Sequence, residues 1–204
     1  MPSALALALA LTGFATGASL IIAIGAQNAY VLRQGLRREH VALVIAICAI
    51  CDAILIVLGV GGIGFVSRLH PDALTWLKYA GAAYLLWFGV TSLLRARKAE
   101  GLEVGRAPAA AGSVAAMTLA LTLLNPHVYL DTMVLLGSIA NQHGPIDRWW
   151  FAGGAVLASF TWFTSLGLGA RALAPKLAHP RTWQVIEVVV GVTMLVIAAL
   201  LAFG

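Results

Sequence analysis

The sequence predicts an all-α membrane protein with six transmembrane helices. Of its 204 residues, 61% are hydrophobic and 10% are charged, whereas soluble domains have roughly 45–50% apolar and about 25% charged residues. The apolar residues form runs of the length, about 17–25 residues, that crosses a bilayer as a helix. Most of the charged residues lie between these runs. These three observations exclude an ordinary soluble domain and make the lipid bilayer the expected surroundings.

Six apolar runs follow one another along the chain, and polar residues interrupt two of them. In order, the runs cover residues 4–32, 41–67, 72–95, 112–140, 149–174 and 183–203. The first run is long and contains Gln27 and Asn28, so a re-entrant first element followed by five spans is the alternative. The fourth run contains Pro126 among several polar side chains. The sequence therefore predicts six helices, of which helices 1 and 4 are interrupted.

Basic residues are distributed unevenly between the runs. Loops two and four contain only Arg68 and Arg148, whereas loops one, three and five contain ten, namely Arg33, Arg37, Arg38, Arg95, Arg97, Lys98, Arg106, Arg171, Lys176 and Arg181. Because cytoplasmic loops are enriched in Lys and Arg, loops one, three and five are predicted in the cytoplasm and both termini outside. The net charge of +5 then reflects orientation, and no nucleic-acid partner is expected. No basic residue precedes the first run, which is predicted to be a retained span and not a cleaved signal.

Short sequence matches divide the chain into two halves. The third run contains Gly89-Val90-Thr91 and the sixth contains Gly191-Val192-Thr193, while Asn28 and Asn125 occupy similar places in the first and fourth runs. Three spans in each half would give the halves opposite orientations, as in secondary transporters built from inverted repeats. The sequence thus predicts a 3+3 inverted repeat, with a first unit at 1–97, a cytoplasmic linker at 98–111 and a second unit at 112–204.

Two acidic residues, Asp52 and Asp131, lie far from the ends of the apolar runs. Asp52 is eleven residues from the start of the second run, which places it about 16 Å deep, close to the middle of a ~30 Å hydrocarbon core. Asp131 lies in the polar middle of the fourth run. No basic residue lies in the spans at the depth of Asp52 to neutralise it. Carboxylates in such segments are costly, and both are predicted to be functional.

The fourth run has a second unusual feature at Pro126. Proline has no N–H and clashes with the preceding turn, so it predicts a break in this helix. Such a break is tolerated in a membrane only where it is buried in protein or lines a wet cavity. On an ideal helix, the pair His127 and Asp131 would face opposite to the pair Asn125 and Tyr129. Both pairs can face one cavity only if the helix departs from ideal geometry.

The remaining polar candidates also have simpler interpretations. Gln27, Asn28 and Asn125 are either substrate ligands or the interhelical hydrogen-bonding groups common in membrane bundles. His127 is either a pathway residue or a structural histidine, and Tyr30 and Tyr129 either line a pathway or pack. The two cysteines, Cys48 and Cys51, are interpreted as small buried hydrophobic residues. No cofactor and no metal site are predicted.

The pattern favours transport over catalysis. The sequence has no nucleophile elbow with a Ser/His/Asp set, no H-E-x-x-H motif and no cysteine cluster. His127 and Asp131 have the i,i+4 spacing that can bind a metal, but two ligands alone are weak evidence for a metal site. A membrane-embedded enzyme that uses His127 and Asp131 as an acid–base pair is the alternative from another class. Two embedded carboxylates without built-in cations suit a ligand that brings positive charge, namely a cationic solute, a proton or both.

Several motifs resemble a known transporter family over nearly the whole chain. They are Gly17-Ala18-Ser19-Leu20, Gly25-Ala26-Gln27-Asn28, Arg33-Gln34-Gly35-Leu36-Arg37-Arg38, Cys51-Asp52, Ala83-Tyr84-Leu85-Leu86-Trp87-Phe88 and Leu124-Asn125-Pro126-His127-Val128-Tyr129-Leu130-Asp131-Thr132. Together they resemble the LysE family of basic amino-acid exporters, and the last motif looks closer to its arginine-exporting branch. Two positions depart from the family pattern: Ala26 replaces a proline, and Cys51 replaces a serine.

The resemblance implies export of L-arginine or L-lysine through the bacterial inner membrane, driven by the membrane potential or by proton exchange. Asp52 and Asp131 would hold the substrate's cationic side chain or alternate between substrate and proton. Gln27, Asn28 and Asn125 would hold its α-amino and carboxylate groups, while Tyr30, His127 and Tyr129 would line the path. An exporter of neutral amino acids, with carboxylates that serve protons only, is the alternative within transport. The coupling ion and a homo-oligomeric state are left open.

Overall fold

The computed structural model describes residues 2–22, 25–66, 71–97, 109–177 and 180–203, and within them the chain is helical with no strand. The prediction of an all-α protein is confirmed for these residues. The helices are α1 (Pro2–Ile21), α2 (Ala26–Arg37), α3 (Val41–Val66), α4 (Pro71–Arg97), α5 (Ala111–Leu123), α6 (Pro126–Tyr129), α7 (Leu136–Asn141), α8 (Gly144–Leu177) and α9 (Pro180–Phe203), with a π-helical segment (Leu130–Leu135) between α6 and α7.

In this part of the chain, three helices are long and apolar enough to cross a membrane: Ser3–Ile21, Val41–Gly62 and Gly144–Ala174. Shorter apolar helical stretches lie at Ala82–Leu94, Ala111–Leu123, Leu130–Asn141 and Glu187–Val196. Many large apolar side chains on these helices are exposed, among them Ile54 and Leu157. A lipid-facing surface has this character, and the protein is a membrane protein. The total of six spans stays a prediction.

The first apolar run forms two helices. Helix α1 ends at Ile21, and Gly25, with φ −119° and ψ 178°, leads in extended conformation into α2. No side chain caps the start of α2. The Asn28 amide donates to the Ile21 carbonyl over 2.8 Å, which satisfies one of the carbonyls left open at the end of α1. The side chain of Asn28 thus connects the two helices across the break.

The fourth apolar run is interrupted at Leu124 and Asn125. Helix α5 ends at Leu123, and α6 begins at Pro126, where a missing N–H costs no helical hydrogen bond. The chain then widens into the π-helical segment, which contains Asp131. Because a π turn holds more residues than an α turn, it changes which side chains share a face. On an ideal helix, the side chains of Asn125 and Asp131 would point in different directions. The break and the π-helical segment remove this restriction.

Small residues bring the helices close together. An added Cβ at Gly59 of α3 would lie 2.5 Å from the Met133 Cα, and one at Gly137 of α7 would lie 2.7 Å from the Gly59 carbonyl oxygen. At the contact of α4 with α9, Gly89 and Gly191 face each other. A Cβ added to either glycine would lie 3.0 Å from the carbonyl oxygen of the other. Such close approach is typical of membrane helices, whose association depends on tight packing.

The helix ends form two opposite groups. At one end, the end of α2 packs against α8 through Gly35 and Ala170, and His40 Nε2 lies 2.9 Å from the Ala109 carbonyl oxygen. At the other end, the Asn141 amide donates to the Val60 carbonyl over 3.1 Å, and Arg148 donates to Asn141 over 2.8 Å. The ends that flank loops one, three and five therefore meet on one side. Residues 98–108, most of the predicted linker, lie outside the described residues.

Candidate functional site

Asp52 is buried at the contact of α3 with α8. It is 3% exposed and accepts a hydrogen bond of 2.9 Å from the hydroxyl of Ser159, which is itself fully buried. The ion pairs Arg33 with Glu187 and Arg37 with Glu39 do not involve Asp52, and no cation of the described part of the chain neutralises it. A buried carboxylate with one neutral donor favours a cation or a proton as its missing partner.

Asp131 approaches Asp52 from the other half of the chain. It is half-buried in the π-helical segment and lies near enough to Asp52 for the two carboxyl groups to interact electrostatically. Two carboxylates at short range repel each other unless a proton or a cation lies between them. The structure thus places the two acidic residues that the sequence singled out within electrostatic range of each other.

The start of α2 packs against α3 and α8, the two helices that meet at Asp52. Asn28 accepts a 3.1 Å hydrogen bond from the indole N–H of Trp162 in α8, in addition to its bond to Ile21. Gln27 is 8% exposed, and its Nε2 has no hydrogen-bond partner within the described part of the chain. Gln27 approaches the buried thiol of Cys48, which Thr122 at the end of α5 also approaches. Both helix breaks therefore meet at α3.

The aromatic candidates have different surroundings. Tyr129 donates a 2.7 Å hydrogen bond to the Leu123 carbonyl, which lies at the end of α5 across the break. Tyr30 is 9% exposed in the largest apolar cluster, close to Tyr84 of α4. Asn125 is half-buried at the break itself. The backbone of His127 belongs to α6, but its side chain and that of Pro126 lie outside the described part.

Sequence reasoning missed Ser159 and Trp162. Both lie in the fifth run, where a serine and a tryptophan are ordinary residues of a membrane helix and carry no motif. Because the two residues are three positions apart, they lie on one face of α8. This shared face was the only feature of the sequence that could have indicated them. No group of three or more potential metal-ligating side chains occurs among the described residues.

Comparison with known proteins shows which family the chain resembles. The family model described as LysE type translocator matches residues 18–204. The chain is 47% identical over 196 residues to a putative amino-acid transporter, YggA, of Aeromonas salmonicida, covering 95% of each chain. It is 38% identical over 223 residues to the lysine exporter LysE of Corynebacterium diphtheriae, covering 95% of this chain and 98% of that one. It is 40% identical over 197 residues to the arginine exporter protein ArgO of Salmonella enteritidis, covering 93% and 91%. No solved structure matches the chain.

Proposed function

This chain belongs to the LysE type translocator family, and we propose that it exports cationic amino acids, L-arginine or L-lysine, through the bacterial inner membrane. The observation that carries the proposal is the pair of carboxyl groups at Asp52 and Asp131, of which Asp52 has no cationic partner in the described part of the chain. Relatives named for lysine export and for arginine export support the same substrate class. Family membership indicates transport and not the enzymatic alternative.

In the proposed site, the two ends of the substrate bind to different helices. Asp52 and Asp131 bind the cationic side chain or exchange it for a proton. Gln27, Asn28 and Asn125 bind the α-amino and carboxylate groups, and Tyr30, His127 and Tyr129 line the path. The start of α2 supports this arrangement, because its uncapped N–H groups carry partial positive charge that suits a carboxylate. Interrupted helices serve this purpose in other secondary transporters.

Proton exchange is the coupling that we propose. Moving one positive charge out of the cell against an inside-negative potential of 100 mV costs about 2.3 kcal/mol. Export of a cation therefore needs an inward counter-ion to offset this cost. The carboxyl groups of Asp52 and Asp131 can hold a proton whenever the substrate is absent, so one site serves both ions in turn.

An inverted repeat of six spans fits the same proposal. The packing of α1 and α2 along α8 has its counterpart in the packing of α5, the π-helical segment and α7 along α3. Gly35 meets Gly167 in the first contact, and Gly137 meets Gly59 in the second. The contacts of α3 with α8 and of α4 with α9 each pair corresponding helices of the two halves. The same set of contacts results when the two halves are exchanged, as an inverted repeat requires. The proposed site lies where the two halves meet.

Transport of radiolabelled amino acids in proteoliposomes tests the substrate class. We expect efflux of arginine or lysine that accelerates when the outside is made acidic, because an inward proton gradient would drive the exchange. Efflux of a neutral amino acid such as leucine should stay at the rate of protein-free liposomes. Efflux of leucine without efflux of arginine or lysine would contradict the proposal and support the neutral alternative.

Orientation in the membrane is tested with single cysteines at opposite ends of the fold. We expect the Ile146→Cys variant to react in intact spheroplasts with a membrane-impermeant maleimide, since Ile146 is 75% exposed at the predicted outer end. The Arg181→Cys variant, exposed at the opposite end, should react only after the membrane is permeabilised. The background carries Cys48→Ala and Cys51→Ala. The reverse labelling pattern would place loops one, three and five outside.

A further inference from the structure

Helix α8 contacts the proposed site through Ser159 and Trp162. Both side chains donate hydrogen bonds to groups in the first half of the chain, Ser159 to Asp52 and Trp162 to Asn28. The residues are one turn apart on one face of α8, about 4.5 Å along its axis. One rigid helix therefore holds a carboxylate of α3 and an amide of α2 at a fixed separation.

The contact with Asp52 is the stronger of the two. The hydroxyl of Ser159 is 0% exposed and donates over 2.9 Å to the Asp52 Oδ2. It is the only hydrogen bond that Asp52 makes in the described part of the chain. A carboxylate that accepts one such bond has one oxygen fixed, and its other oxygen keeps its lone pairs for another donor. Ser159 thus fixes the orientation of the Asp52 carboxylate and leaves Oδ1 without a hydrogen bond in the described part of the chain.

The contact with Asn28 fixes a different part of the site. The Trp162 indole donates to the Asn28 Oδ1 over 3.1 Å, while the Asn28 amide donates to the Ile21 carbonyl over 2.8 Å. These bonds form a chain from α8 through Asn28 to the last turn of α1. Trp162 and the end of α1 therefore fix the amide group of Asn28 at the start of α2.

We propose that Ser159 and Trp162 are positioning residues, through which α8 sets the geometry of the binding site and hence its affinity for substrate. This proposal rests on the proposed function, because it assigns Asp52 and Asn28 to substrate binding. Neither residue touches the substrate; each acts through its partner.

A double-mutant cycle on purified protein tests the role of Ser159. We expect Ser159→Ala to weaken arginine binding about tenfold, as loss of a hydrogen bond to a charged group does. In an Asp52→Ala background the same change should have almost no further effect, because Ser159 then has no partner to position. The Ser159→Thr variant, which keeps the hydroxyl, should bind more tightly than Ser159→Ala. The Thr161→Ala variant is the matched control, since the Thr161 hydroxyl bonds only the Leu157 carbonyl of its own helix.

Trp162 is tested in the same way with transport kinetics. We expect Trp162→Phe, which keeps an aromatic ring but loses the indole N–H, to raise the KM for arginine several-fold and to leave the maximal rate within about twofold. The effect should disappear in an Asn28→Ala background. The exposed Trp150 supplies the control variant Trp150→Phe, which should behave as wild type.

The outcomes separate this proposal from the proposed function. If the wild type binds arginine but the losses from Ser159→Ala and Asp52→Ala simply add, α8 does not position the site and only this inference is wrong. If the wild type binds a neutral amino acid instead, the proposed substrate is wrong, and the same cycle with that amino acid still decides the role of Ser159. Melting temperatures in detergent identify any variant that loses binding through unfolding, and Ser159→Cys, whose thiol is a weak donor of similar shape, then carries the cycle in place of Ser159→Ala. A loss of binding in Thr161→Ala equal to that in Ser159→Ala would also overturn the proposal.

Discussion

Replacing Asp52 by asparagine should reduce arginine transport at least about tenfold while the protein still reaches the membrane. The variant removes a charge-assisted contact worth roughly 1.5–3 kcal/mol, and each 1.4 kcal/mol corresponds to about a factor of ten. Asparagine has nearly the same shape and can still accept the hydrogen bond of 2.9 Å that Ser159 donates. The expected loss is therefore one of function and not of folding. Initial rates of arginine efflux from proteoliposomes, normalised to the amount of inserted protein, measure it.

A matched variant shows whether the position of the charge matters. Asp147 lies in the first turn of α8, away from the site, and is half-buried. The Asp147→Asn variant removes the same charge and should export arginine at the wild-type rate. Export at the wild-type rate by Asp52→Asn would instead give Asp52 a structural role and would remove the observation on which the proposed substrate depends.

The second large effect is expected at the contact of α1 with α8. An added Cβ at Gly154 would overlap the carbonyl oxygen of Ala10, and one at Gly13 would overlap that of Phe151. Both obstacles are backbone atoms, so no side-chain rotation can relieve them. We expect Gly154→Ala to push α1 away from α8 and to lower the free energy of unfolding by about 1–3 kcal/mol, the usual cost of overpacking. A lower melting temperature in detergent measures this loss.

The neighbouring glycine provides the control. An added Cβ at Gly153 meets nothing within 4 Å, so Gly153→Ala should be neutral or stabilising by up to about 1 kcal/mol, because alanine is the better helix former. Gly154→Ala is thus expected to lower the melting temperature, whereas Gly153→Ala should leave it unchanged or raise it. Equal melting temperatures for the two variants would mean that α1 does not approach α8 through Gly154.

The glycine pair shows where sequence reasoning stops. Gly153 and Gly154 are adjacent and identical in type, and no local property distinguishes them. Only the partner helix decides which of them faces a neighbouring backbone. The same holds for the polar contacts, since Ser159 lies 107 residues from Asp52, and Trp162 lies 134 residues from Asn28.

The sequence by itself determined the features that depend on local chemistry. The apolar runs specify helices because a bilayer leaves backbone groups no other partners, and Pro126 coincides with the start of α6 because a missing N–H favours the first turn of a helix. Asp52 and Asp131 could be identified as candidate functional residues, because a carboxylate in an apolar membrane segment is energetically unfavourable. Only the tertiary structure decided that these two carboxyl groups interact, that Ser159 and Trp162 of α8 donate hydrogen bonds to Asp52 and Asn28, and that a π-helical segment contains Asp131. These features depend on the packing of helices that are distant in the sequence, and the periodicity of a single helix does not specify its neighbours.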